Sequence, residues 1–386
     1  MKQLKKIFRT FLGIILLMPA TFVQAQTDSI EVSLLTCSPH EEIYSLYGHT
    51  ALRWHDFNKG EDIAFNWGVF DFHKPYFVLR FVFGLTDYEL GAYPYNLFLQ
   101  EYKEYGSSVT EQVLNLTTEE KLAVKQALIE NLQPENKVYR YNYFYDNCSL
   151  RPRDIIERCI KGRVKYAPRE NYAPTYREMV RTCTRNHPWG TFGNDMLLGL
   201  RADQTTDIRQ QEFLPENLMY DVDRATIYAD GKYRPLVKER RIALQPGVQV
   251  IEDDFPLSPT ECACLLLIVS IIIAIMEWKR RKTLKYWDAL LMIVQGLAGC
   301  VLFVMLFSQH PTTSTNLQIF ILNPLPIFFI HTVLRRRNTH WWTVLTVMLI
   351  LFIAGSLFQH YAEGMMILAL SLLIRVINGY KFSNRV

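Results

Sequence analysis

Tyr139–Gly162, YRYNYFYDNCSLRPRDIIERCIKG, is the stretch whose reading decides the fold. From Tyr139 to Tyr145 aromatic and polar residues alternate, the period of a half-buried strand. Beyond Cys148 the pattern turns helical. Pro152 is tolerated in a first turn, and Gly162 suits the position just past a helix end. Cys148 thus falls where strand gives way to helix, facing unpaired N–H groups and the positive end of the helix dipole. Both stabilise a thiolate, the nucleophilic form of cysteine. What such a thiol needs next is a base.

Working outward, Thr27–Thr36 reads as a strand and Pro39–Tyr47 as a brief helix broken at Gly48-His49-Thr50. Ala51–His55 and Asn66–Phe72 alternate as strands, Tyr76–Phe83 is aromatic and apolar, and a Tyr-rich helix lies near Tyr95–Tyr102. Val109–Leu116 is a further strand. Helix Thr118–Leu132 opens on a capping box, Thr117 with Glu120, and its apolar face is expected to bury Leu122, Val124, Ala127, Leu128 and Leu132. Helices follow at Tyr172–Thr184 and within His187–Leu200. Residues 201–260, polar and strand-like from Leu214 on, are expected to form a lid or connecting segment.

Cysteine catalysis takes a thiolate, a base within hydrogen-bond reach and a third group that fixes the base. His49, directly after a glycine at the start of a strand, is the candidate base, and Cys148 the nucleophile. Histidine on an early strand and cysteine at a later helix start is the order of circularly permuted papain-like folds. A lone Gly-His pair is weak evidence, and a buried cysteine is more often packing than chemistry. The polar neighbours Asp146, Asn147, Ser149 and Arg151 make an odd setting for an inert thiol. Asp71 is the candidate to orient the imidazole, with Asn66 the alternative; His55 and His73 read as surface histidines. Asn147, Arg53 and Arg151 are candidate substrate contacts, the arginines through an anionic headgroup, against ordinary strand or intrahelical pairing. The helix-start N–H groups of Cys148 and Ser149 are candidate oxyanion donors.

The chain has 386 residues, 49% of them hydrophobic, enough for more than one domain, and its net charge of +4 is too mild to imply nucleic acid. Its two ends differ. Met1–Ala25 reads as a secretory signal: basic Lys2, Lys5, Lys6 and Arg9, apolar Phe11–Met18, and a small-x-small site at Val23-Gln24-Ala25. The alternative is an uncleaved anchor; either way 27–200 is exported. In 261–380 five apolar spans follow: Cys262–Trp278, Trp287–Phe307, Leu317–Val333, Trp341–Phe358 and Ala362–Ile377. Each nears the roughly 17–25 residues a spanning helix takes. Lys279–Lys285, Leu334–His340 and the tail with Arg375, Lys381 and Arg385 are basic, whereas Ser308–Asn316 and Gln359–Gly364 carry no Lys or Arg. The positive-inside rule puts the basic segments in the cytoplasm and the first half on the outer face of the membrane. His310, Asn316, Asn323 and His360 cluster on the outer side. They read as helix-end chemistry or as a polar floor, with His310 and His360 candidate substrate contacts. Cys37, Cys148, Cys159 and Cys183 lie outside the spans. Cys37–Cys183 or Cys159–Cys183 bridges are open, and no CxxC pair calls for a metal. No cofactor is expected.

YGHTALRW (Tyr47–Trp54), NWGVFDF (Asn66–Phe72) and YDNCSLRPRD (Tyr145–Asp154) together resemble the exported domain of the Lnb-type lipoprotein N-acyltransferases. HPTTSTN, NPLP (Asn323–Pro326) and the spans resemble that family's membrane region. A more distant similarity is to lecithin:retinol acyltransferase. The resemblance implies an α+β, permuted papain-like (NlpC-type) exported domain followed by an all-α bundle of five transmembrane helices. It implies transfer of an acyl chain from a glycerolipid ester to the N-terminal cysteine amine of a lipoprotein, with Cys148 as nucleophile and His49 as base. In the Lnb type the donor is the lipoprotein's own diacylglyceryl group; the residues leave open whether a separate phospholipid serves instead. Partners are then membrane lipids and diacylglyceryl-modified lipoproteins. The competing readings are an NlpC-type peptidase or amidase of the cell envelope and a non-catalytic membrane scaffold.

Overall fold

The computed structural model describes residues 29–70, 75–249, 255–335 and 340–383. The expected signal segment, Asp71, His73 and Arg385 lie outside the described residues.

The exported half begins with β1 (Ile30–Cys37), β2 (His49–Asp56), β3 (Glu61–Val69), α1 (Phe77–Val82), β4 (Asp87–Pro94), α2 (Tyr95–Glu104) and β5 (Val109–Leu114). Then come α3 (Thr118–Asn131), β6 (Val138–Arg140), α4 (Leu150–Cys159), β7 (Arg163–Lys165), α5 (Tyr176–Thr184) and α6 (Pro188–Leu197). Finally α7 (Ile208–Gln211), α8 (Pro215–Arg224), β8 (Thr226–Ala229), β9 (Lys232–Pro235) and β10 (Val237–Leu244) complete it. Seven strands form an antiparallel sheet in the order β10-β5-β1-β2-β3-β4-β6, and β7-β8-β9 form a small second sheet.

Strand alternation sorts the side chains onto two faces. Val32 and Leu34, Leu52 and Trp54, and Phe65 and Trp67 face α3, α4 and α8, whose Val124, Leu128, Ile156 and Leu218 close the main core. The opposite parity, Leu35, Cys37, Ala51 and Ala64, packs on Phe98 and Tyr102 of α2. His49 and Asn66 share this second parity. The capping box of α3 forms as expected, with Val124, Ala127 and Leu128 buried, but Leu122 is 51% exposed.

Two expectations change here. The aromatic strand is only Val138–Arg140; Asn142 then turns the chain, its N–H donating to Asp146 O and its Oδ1 accepting from Phe144 N. Residues 201–260 do not stand apart as a lid: β10 pairs with β5 at the sheet edge, and Leu218 and Val222 of α8 are core residues.

The second half is helical: α9 (Pro259–Arg280), α10 (Lys285–Met305), α11 (Leu325–Leu334), α12 (Trp341–Gly355) and α13 (Met365–Ser383). Among the described residues Pro259–Arg280, Lys285–Met305, Leu317–Leu334 and Met365–Phe382 are long and apolar enough to cross a membrane; Trp341–Gly355 is shorter. Leu317–Leu334 is not one continuous α-helix. A 3-10 turn at Leu317–Phe320 precedes a break at Asn323-Pro324, and α11 is ten residues long, about 15 Å. Asn323 makes that break tolerable: its Oδ1 accepts from Leu325 N and its Nδ2 donates to Ile319 O. Arg375 is not a tail cation. It lies inside α13, 2% exposed, bidentate to Glu277 of α9 at 2.9 and 3.0 Å and 2.7 Å from Asp288 of α10.

Where the halves meet, the polar residues of the outer loops are spent on the joint. Asn316 Nδ2 donates to Met196 O, Gln318 Nε2 to Asp195 O, and Gln359 Nε2 to Leu198 O. Arg177, 1% exposed, completes the joint with ion pairs to Asp195 and Asp203.

Candidate active site

Chain geometry delivers the candidate base. Gly48 ends the β1–β2 connection at φ +74°, and His49 is the first residue of β2, directly across from Cys37 in the ladder. On the neighbouring strand Gly68, at φ +114°, sits at the register shift between Trp67 and Val69. A Cβ there would come within 3.5 Å of the imidazole Cε1 and would be strained in that backbone conformation. It is the backbone conformation, and not the contact with the ring, that calls for glycine there. Asn66 reaches the ring from two residues back: His49 Nε2 lies 2.5 Å from Asn66 Oδ1. An amide oxygen only accepts, so Nε2 carries the proton and Nδ1 is left for the thiol. Asn66 Nδ2 in turn donates to the Tyr93 hydroxyl, which fixes the amide's orientation.

The thiol comes from the other side of β2. Thr50 Oγ1 and Ser149 Oγ are 3.0 Å apart, tying β2 to the start of α4. Asn147 holds that start. Its Oδ1 accepts from Ser149 N and Leu150 N, and its Nδ2 donates to Tyr143 O and Phe213 O, which uses both donors and both lone pairs. It is the cap of the helix. The Ser149 N–H is thereby engaged and not available to an oxyanion, whereas the Cys148 N–H donates to no acceptor among the described residues.

Cys148 and His49 interact directly, and each changes the other's ionisation. Burial works to raise the thiol. The facing imidazolium, its hydrogen bond, the Thr50 N–H and the Ser149 hydroxyl outweigh that and hold Cys148 below the ordinary cysteine value. Burial likewise opposes charge on His49, but the thiolate and the hydrogen bonds to Cys148 and Asn66 raise it. Both directions favour a thiolate–imidazolium pair. By contrast Cys183, where burial dominates, is pushed up to about 11. All seven cysteines are free thiols.

His49 and Asn66 line a pocket of about 450 Å³ with Tyr44, Phe70, Tyr93 and Tyr102. A second cavity of about 880 Å³, lined by Cys37, Tyr172, Cys183 and Leu214 among others, shares Ser38, His40 and Gly48 with it. The two meet beside the imidazole.

The other expected contacts are elsewhere. Arg53 is buried under Tyr95 and paired with Asp62 and Glu111 at 2.7 and 2.9 Å. Arg151 is bidentate to Asp146 and stacked on Tyr139. His55 meets Arg53 and Phe57. His360 pairs with Asp203, and His310 lies 3.3 Å from Phe81 O; neither lines the two cavities. Among the described residues no cluster of His, Cys, Asp or Glu could hold a metal.

The family model for the Lnb N-terminal periplasmic domain matches residues 19–182, and that for the Lnb transmembrane domain matches residues 250–385. Neither the curated proteins nor the solved structures give a match. With both of the family's domains present in order, the chain belongs to the Lnb family: a multi-pass membrane protein with a periplasmic N-terminal domain.

Proposed function

We propose that this protein is a thiol acyltransferase of the bacterial inner membrane that N-acylates lipoproteins. The observation that carries the reading is the contact of Cys148 with His49, which shifts each toward its charged form, backed by Asn66. The order of histidine strand and cysteine helix supports a permuted papain-like domain. Substrate contacts are proposed at the cavity that His49 and Asn66 line rather than at Arg53, Arg151, His310 or His360, which pair with other groups and line neither cavity.

In the first half-reaction the Cys148 sulfur attacks the carbonyl carbon of a glycerolipid ester. The oxyanion that forms is met by the Cys148 N–H. As the C–O bond breaks, His49 gives its proton to the departing glyceryl oxygen, leaving a lyso-lipid and an acyl-thioester on Cys148. In the second, the uncharged α-amino nitrogen of a lipidated N-terminal cysteine attacks the thioester. His49 takes the proton, the C–S bond breaks, and the thiolate returns with an amide as product. A substrate anchored by its own acyl chains suits a domain seated on a helical bundle, and a soluble wall peptide has no need of one; this favours acyl transfer over the peptidase reading. The donor proposed is the lipoprotein's own diacylglyceryl group.

Mass spectrometry of lipoprotein N-termini from a strain depleted of this protein tests the proposal. Loss of the N-acyl group, with the glyceryl carrying two chains again, is expected. Unchanged lipid forms contradict it, and N-acylated lipoprotein that keeps both glyceryl chains in cells that have the protein would assign the donor to a phospholipid instead.

A further inference from the structure

The β3–β4 connection places apolar side chains where no protein covers them. Tyr76, Leu79, Phe81 and Phe83 are 77, 56, 45 and 39% exposed, and the single charge among residues 76–83, Arg80, is neutralised by Asp87 at 3.0 Å. On a soluble domain such a run is an aggregation hazard.

Its height is fixed by the bundle. Phe83 O accepts from Gln309 N at 3.0 Å, and His310 Nε2 lies 3.3 Å from Phe81 O. Gly84, at φ +68°, sits so close to this loop that a Cβ would meet the Gln309 and His310 backbone at 3.2 Å. Gln309 follows α10 by four residues, and Phe307 between them is 69% exposed, part of the lipid-facing side of that helix. α10 starts beside the basic Lys279–Lys285 loop, so this is its outer end. The connection is therefore level with the outer headgroups, and its exposed side chains continue the apolar surface of α10. Aromatic and leucine side chains are the types that settle at that depth.

It also adjoins the site. His49 starts β2 and Val69 ends β3, so the sheet end that carries the imidazole is the end from which the connection leaves. At its foot Phe70, which lines the His49 pocket, stacks on Tyr88, and Tyr88 stacks on Tyr141 at 4.2 Å. Both tyrosines lie near enough to Cys148 to feel its charge.

We propose that Tyr76–Phe83 is inserted in the outer leaflet of the phospholipid bilayer, at the boundary of headgroups and acyl chains. There it lies beside the aromatic run Phe70–Tyr88–Tyr141, so that, on the function proposed above, an acyl chain would approach Cys148 from the membrane side. The insertion rests on membrane placement and not on the chemistry proposed above.

The test uses the full chain in phosphatidylethanolamine–phosphatidylglycerol vesicles, with a photoreactive benzoylphenylalanine at Leu79 or, separately, at Tyr76. The control is Phe57, 52% exposed in the turn at the far end of β3, roughly 25–30 Å away along a nine-residue strand. Irradiation is expected to add the mass of one phospholipid at positions 79 and 76, and none at position 57. No lipid adduct at either position, or crosslinks to a second copy of the chain, would overturn the proposal. Acyl transfer is not read in this experiment, so it stands or falls separately from the function.

Discussion

Two buried polar groupings in this chain behave in opposite ways. In the Arg375 cluster every group is partnered: Glu277 meets Arg375, Asn378 and the Leu284 N–H, and Asp288 takes the remaining guanidinium edge. At Cys148 the partnering is incomplete. The thiol and imidazole satisfy each other, the Cys148 N–H has no acceptor among the described residues, and the imidazole lines a pocket. Saturation holds helices together in a medium that offers no water. Incompleteness, beside a thiol and an imidazole that shift each other's ionisation, is the condition a binding site would need.

That contrast can be broken in steps, beginning with the largest effect. Cys148→Ala should lower acyl transfer by at least about 10³-fold while the protein still inserts with unchanged thermal stability, measured on purified protein in vesicles. Arg375→Met should do the converse. It strands two carboxylates and costs about 3–5 kcal/mol, seen as a lower detergent melting temperature, with unchanged activity per folded molecule. Asn66→Ala leaves the imidazole unoriented and should slow transfer about 10²-fold with little loss of stability. A subtler change follows from His49→Ala. The raising effect of burial on the Cys148 thiol then goes unopposed by the imidazolium, so the midpoint of the pH profile for Cys148 alkylation should move upward. In the parent protein alkylation should persist below the ordinary cysteine range. An unchanged midpoint in the variant would mean the pair is not coupled.

Much of the Cys148–His49 contact was legible because it rests on local pattern. Gly48-His49 marks a strand start, and DNCS before a helical run marks a capped helix with a thiol at its first turn. Which group holds the imidazole was only partly legible, with Asn66 standing as the alternative to Asp71. It depends on Ala51 pairing with Asn66 and on the bulge at Gly68, and register is a property of two strands rather than one. Asn147 was read by proximity as a substrate contact, although DNCS already carries the signature of an asparagine cap two residues before the N–H it accepts. The outer-loop residues misled for another reason. Asn316 was read as helix-end chemistry or part of a polar floor, and its partner in α6, 120 residues earlier in the chain, decides what it does. Arg375 looked like a topogenic cation for the same reason, since its carboxylates lie on two other helices. Distant pairing is the part of a fold that periodicity does not carry.

One measurement bears on the central claim most directly. Full-length protein in vesicles is mixed with a diacylglyceryl-cysteine lipopeptide whose α-amine is blocked, so that only the first half-reaction can run, and the Cys148 peptide is weighed. Deacylation of the lipid with a hydroxylamine-labile mass increase of one acyl chain on Cys148, absent from Cys148→Ala and from His49→Ala, is the predicted result. Lipid that is deacylated with no adduct on Cys148, or deacylated equally well by Cys148→Ala, would contradict it.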